Sequence, residues 1–148
     1  MKTSLSKTEK AKILFTEILE KRDFTWMDVI FSELYGVKND GENELTDKKG
    51  TGKIGIKLYL NTFITAFENV KYSFLNILEC KDQVVIRWKL NAKHIGDIFS
   101  IKATNKIVTI IGVSWFFFDD QDLIKNIHLL WNGFSLVDQL NLEVKPKK

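Results

Sequence analysis

Arginine is nearly absent. Arg22 and Arg87 are the only two in 148 residues, and lysine carries the rest of the positive charge. Recognition of base edges and phosphates leans on the arginine fork. The lysines here are interspersed with acids and the net charge is only +3, so the charge reads as solvated surface and argues against a nucleic-acid partner. Cysteine occurs once, at Cys80, so no internal disulfide can form. A reducing compartment fits that, and the thiol reads as an inert buried one near a strand end. Histidine occurs twice, at His94 and His128, and no pairing of these with Cys80 has zinc-motif spacing, so no metal is expected. Glycine-rich phosphate loops are missing too. Gly50-Thr51-Gly52-Lys53 lacks the rest of either nucleotide-binding pattern and reads as a turn before a helix, so no cofactor is expected. Apolar runs are too short and interrupted to span a bilayer, and the N-terminal MKTSLSKTEKAK lacks the apolar stretch of a signal peptide. The expectation is a soluble, cytoplasmic protein with no membrane partner.

What is present is a core. Hydrophobic residues make up 45% and aromatics 12% of the chain, ample for one buried core and inconsistent with disorder. The length predicts one domain, 1–148. Ser6-Lys7-Thr8-Glu9 is a capping box, and Ala11, Leu14, Phe15, Ile18 and Leu19 follow at helical spacing, predicting a first helix to about Arg22. Thr25-Trp26-Met27-Asp28 is a second box, predicting a helix that ends near Tyr35-Gly36. Residues 37–50 form a long polar loop that either borders a site or is simply mobile. Ile56, Leu60, Phe63, Ile64 and Phe67 share the face of a third helix, with Tyr59 beside them.

After Phe67 the period changes to two, with Tyr72, Phe74, Asn76, Leu78 and Cys80 in one phase. The clearest strand follows: Val84, Ile86, Trp88, Leu90 and Ala92 face inward, with His94 in the same phase at its end. Residues 106–118 are apolar on both faces, Val108, Ile110, Phe116 and Phe118 on one, Ile107, Ile111, Val113, Trp115 and Phe117 on the other. A strand greasy on both sides must be covered twice. Helices can cover one side, and the other predicts a homodimer through the outer sheet face, carried by Trp115 and Phe117. A turn at 119–122 leads to a last strand, and Ser135-Leu136-Val137-Asp138 predicts a short closing helix. Three helices, four antiparallel strands and a cap make an α+β fold, and a curved sheet covered by helices leaves a conical hollow.

The last strand supplies the candidate site. Alternation puts Ile124, Asn126, His128, Leu130 and Asn132 on one face. Hydrogen-bonding groups at period two among apolar neighbours are costly to bury without a purpose, so this face is read as the pocket wall. His128 and His94 are the candidate proton carriers, since an imidazole titrates near neutrality. Asn132 and Asn126 would hold an oxygen on which charge develops. Trp88, Leu130, Phe116 and Tyr59 would line the binding surface. The structural alternatives are a strand-end histidine bonded to backbone, an amide pair bonded within the sheet, and a core tryptophan.

Here the residues resemble a known family. Residues 55–74, GIKLYLNTFITAFENVKYSF, look like the helix-then-strand segment of SnoaL-like polyketide cyclases, with Phe67-Glu68-Asn69 at the corner. Val84-Val85-Ile86-Arg87-Trp88 resembles the strand before the family's Thr-His-x-Gly element, which reads Lys93-His94-Ile95-Gly96 here. Ala103-Thr104-Asn105 stands where the family has Pro-Thr-Gly, and Gln139-Leu140 matches its closing Gln-Leu. The resemblance implies an NTF2-like cone, N-terminal helices packed on a curved antiparallel sheet, and a dimer. It also implies a deep pocket between sheet and helices and closure of a polyketide ester by intramolecular aldol chemistry with no metal or cofactor, so the first reading is an enzyme of this type acting on a small hydrophobic carbonyl compound. Two departures stand out. Asn126 replaces a glutamate common in relatives, and the carboxylate proposed as acid/base in the cyclases falls at Asn132. An amide cannot take up a proton near pH 7. The alternative is therefore a non-catalytic binding or scaffold protein of the same fold.

Overall fold

The computed structural model describes residues 4–36, 52–98, 100–143 and 146; the 37–50 loop lies outside the described residues. The first helix, α1 (Lys7–Ile13), starts at a complete capping box. Ser6 accepts from the Glu9 amide and the Glu9 carboxylate accepts from Ser6 N. It continues as a π-helical segment, Leu14–Glu20, which buries Leu14, Phe15, Ile18 and Leu19. A π-helix this long is rare, and such segments recur at functional sites.

The second helix is shorter than its pattern predicts. A 3₁₀ turn, Phe24–Trp26, leads into α2 (Met27–Ile30), and the cap is Asp23, accepting from Thr25 N, rather than Thr25 itself. Phe31 then turns extended and forms a parallel bridge with Ile124, so helix propensity yields to sheet pairing. α3 (Gly52–Ala66) buries Ile56, Leu60 and Ile64; Phe67 already belongs to the sheet. Lys53 at its start pairs with Asp28 and Glu33, which ties α3 to the α2 region.

The sheet is a plain antiparallel meander, β1 (Phe67–Cys80), β2 (Gln83–His94), β3 (Ile107–Phe118) and β4 (Ile124–Trp131), in the order β1-β2-β3-β4. β2 and β3 pair without interruption from Gln83↔Phe117 to Lys93↔Ile107. β2 alternates as its sequence does, with Val84, Ile86, Trp88, Leu90, Ala92 and His94 buried. β3 buries Val108, Ile110, Ser114, Phe116 and Phe118 and turns Ile107, Ile111 and Trp115 out.

β1 and β4 are bulged. In β1, Asn69 with positive φ and Leu75 are the additional residues, so Ile77 takes the inward place and Leu78 and Cys80 are exposed. The expectation of a buried thiol is corrected by that shift. α4 (Gly133–Gln139) closes the chain. Its cap is Asn132, whose Oδ1 accepts from Ser135 N at 3.1 Å; Ser135 itself lies inside the helix. Leu136 and Leu140 are buried, and Gln139 exchanges two hydrogen bonds of 2.7 Å with the Thr109 backbone. Among the described residues no helix is long and apolar enough to cross a membrane.

Candidate functional site

A cavity of about 50 Å³ lies between the sheet's inner face, the π-helical segment and α3. Leu14, Phe15 and Leu19 form its helical wall, and Tyr59, Leu60 and Phe63 come from α3. Tyr72, Trp88, Leu90, Ile110 and Ser114 line it from β1 to β3, and Ile127, Leu129 and Trp131 from β4. The aromatic rings are held by one another: Phe15 meets Tyr72 at 4.9 Å and Phe74 at 5.5 Å, edge on, and Tyr72 meets Trp88 at 5.5 Å.

Trp88 is placed by two residues opposite it on β3. Gly112 is its direct partner, and a Cβ there would lie 2.4 Å from Trp88 Cζ2, so only glycine leaves room for the indole. Ser114 Oγ accepts from Trp88 Nε1 at 3.0 Å, which satisfies a buried donor. That leaves the serine O–H as a donor of its own.

Two phenols join it in the wall. Burial, then the nearby Glu20 carboxylate, then Tyr59 push the Tyr72 hydroxyl above its ordinary 10.0, so it stays protonated through the neutral range. The Glu20 carboxylate is itself engaged, accepting from Tyr72 N at 2.7 Å. Ser114, Tyr59 and Tyr72 are the hydroxyl-bearing residues of a wall whose exposed surface is almost wholly apolar. Among the described residues that line it there is no carboxylate and no imidazole.

The predicted site residues divide. Trp88 and Tyr59 stand on the cavity wall. Phe116 is fully buried in the adjoining core, 6.1 Å from Phe15, and is not part of the wall. The face assigned to β4 is the wrong one. Phe118 pairs with Ile124 but Phe117 with Asn126, so Lys125 is an additional residue and the alternation reverses after it. Ile127, Leu129 and Trp131 point inward; Asn126, His128 and Leu130 lie on the outer face, opposite Phe117, Trp115 and Val113. His128 rests against the Phe117 ring at 5.1 Å, and Leu130 is 61% exposed. The bulge has a physical cause: Ile124 O accepts from Ser32 N and Lys125 O from Gly36 N, so two successive carbonyls serve the segment after α2. Asn132 is exposed and occupied as the α4 cap.

His94 is fully buried at the end of β2 but is not among the cavity-lining residues. Its Nδ1 lies 2.9 Å from Thr104 Oγ1, its ring 5.5 Å from that of Phe67, and Nε2 has no partner among the described residues. The His94-Ile95-Gly96 element is a clasp. Ile95 N and Gly96 N both donate to Ala66 O, and a Cβ on Gly96 would lie 2.4 Å from Thr65 O. Its residue types serve the junction of α3 with the sheet. Among the described residues no group of three His, Cys, Asp or Glu side chains could hold a metal ion.

Sequence reasoning passed over Ser114, Tyr72, Leu129 and Trp131. Ser114 carried a signal, as the one polar residue in the buried phase of β3. Trp131 and Leu129 carried none, because the bulge that turns them inward is a tertiary feature.

A model of the SnoaL-like polyketide cyclase family matches residues 13–140. The chain belongs to that family. No curated protein matches it significantly. Among solved structures, TsrD from Streptomyces laurentii superposes with a TM-score of 0.78 at 14% identity, covering 93% of this chain and 96% of its own. A SnoaL-like polyketide cyclase from Agrobacterium tumefaciens gives 0.72 at 10% identity, covering 92% and 98%. AclR from Streptomyces galilaeus gives 0.70 at 16%, covering 96% and 87%. At such identities the likeness shows the fold alone, and that fold is the NTF2-like cone. Within this SnoaL-like chain, the matched region contains every element that lines the cavity.

Proposed function

We propose that this SnoaL-like protein binds a small apolar molecule bearing a carbonyl group and holds it without acid/base chemistry. The observation that carries this reading is the cavity wall: an almost wholly apolar surface with Ser114, Tyr59 and Tyr72 as its hydroxyl-bearing residues, and no carboxylate or imidazole among the described residues that line it. A protonated phenol and a serine O–H are donors suited to a carbonyl oxygen in surroundings where water cannot compete. Abstracting the proton beside that carbonyl needs a base within about 3 Å, and the wall residues supply none.

Methyl NMR with 2-pentanone tests the reading against 2-methyl-1-pentene, which has the same shape but no acceptor. The ketone is expected to shift Leu60, Ile110, Ile127 and Leu129 and to bind more tightly than the alkene. Tyr72→Phe combined with Ser114→Ala should remove that preference. Equal binding of the two compounds would defeat the carbonyl part. Protein-dependent exchange of the ketone's α-protons with D2O would defeat the non-catalytic part.

We also propose that two copies meet through the outer sheet face. Ile107, Ile111, Trp115 and Leu130 are exposed there, and Trp115 stacks on Phe117 at 5.7 Å. Sedimentation velocity should give a dimer that Trp115→Lys converts to monomer; a monomeric parent at micromolar concentration would defeat the idea.

A further inference from the structure

The cavity is small for a ligand site. About 50 Å³ is several times what a water needs, yet well below the roughly 300–1,000 Å³ of drug-sized pockets. A second, more open depression of about 460 Å³ lies over the start of α4. Ile101, Phe134, Leu136 and Val137 make it apolar, with Asn132 and Gly133 at its edge. Trp131 belongs to both hollows.

Three details bear on what the groove takes. Phe134 is 74% exposed on the first turn of α4, an apolar ring without cover. The far end of the same helix is fixed by buried Leu136 and Leu140 and by the Gln139 bonds to Thr109, so that ring is held out by a firm support. Gly133 lies next to the Trp131 indole without adding a side chain there; a Cβ on it would stand in ordinary contact, 3.9 Å from Cη2.

We infer that cavity and groove are one binding site divided by Trp131, and that its ligand is elongated: a carbonyl head against Tyr72 and Ser114, and an unbranched apolar tail over Phe134 and Val137. Trp131 is the partition that turns aside as the chain threads past. This rests on the cavity reading above and names the ligand class for it. The chemistry is that of a long-chain ketone, aldehyde or ester, with no charged headgroup to desolvate.

Calorimetric titration of the full chain with 2-pentanone, 2-heptanone, 2-nonanone and 2-undecanone provides the test. Affinity is expected to rise roughly fourfold per added methylene until the groove is filled. Phe134→Asp with Val137→Asp should flatten that rise, and Trp131→Ala should speed association of the longer ketones. A dissociation constant indifferent to chain length in the parent would overturn the inference while leaving the cavity reading intact. So would a rise that the Asp pair leaves unchanged. If Phe134→Asp alters the sedimentation coefficient but not the chain-length series, the groove is a contact between copies and the inference fails. Failure of 2-pentanone itself to bind would instead remove the cavity reading.

Discussion

The two middle strands and the two flanking strands of this sheet follow different rules. β2 and β3 pair from Gln83↔Phe117 to Lys93↔Ile107 with no slip, and every residue faces the way its place in the alternation says. β1 and β4 each absorb additional residues, Asn69 and Leu75 in one and Lys125 in the other, and beyond each the inward phase changes. The middle pair fixes the position of Trp88 through Gly112 and Ser114. The flanking strands adapt to what lies against them: β1 to the Glu20 carboxylate and the Arg22 guanidinium, which reach Tyr72 N and Phe67 O, and β4 to the segment after α2. A bulge lets an edge strand serve two neighbours, and it breaks period-two reading at the same stroke.

Removing the bulge breaks the comparison most forcefully. Deleting Lys125 would give β4 the alternation its sequence suggests, turning His128 inward and Ile127, Leu129 and Trp131 out. At about 1.5–3 kcal/mol for each large apolar side chain exposed, the protein should lose most of its stability in urea unfolding. If instead it folds well and binds 2-pentanone, the bulge is incidental. Gly112→Ala comes next. With 2.4 Å between the new Cβ and Trp88, overpacking should cost about 1–3 kcal/mol and weaken ketone binding, seen in urea midpoint and titration together. Ser114→Ala leaves Trp88 Nε1 buried without an acceptor, a loss of about 1–3 kcal/mol at an unchanged unfolding slope.

On the flanking side the effects shrink. Asn132→Ala removes the α4 cap and should cost about 1 kcal/mol, with Asn132→Ser recovering most of it. A catalytic amide would not be rescued by serine in that way. His128→Ala is expected to change stability by less than about 0.5 kcal/mol and ketone binding not at all. A tenfold loss of binding in His128→Ala would restore the inward face that the bulge removes.

Much of the fold was legible because it rests on local chemistry. The Ser6 capping box, the helical spacing of α3, the inward row of β2 and the greasy double face of β3 are all written in neighbouring residues. The site was legible only in part. Trp88 and Tyr59 lie on unbroken elements and reach the cavity wall. His128, Asn126 and Leu130 lie past the bulge and do not. Asn132 and His94 carry polar groups whose partners, Ser135 N and Thr104 Oγ1, are structural.

The element order, the α+β class and the two unbroken middle strands follow from neighbouring residues alone, because spacing and capping act between residues a few places apart. Which face of β4 looks inward, and so the absence of an imidazole among the residues lining the cavity, is set by long-range packing. The reason is that Ser32 N and Gly36 N, some ninety positions away in the chain, draw the carbonyls of Ile124 and Lys125 toward them and insert one residue into the strand.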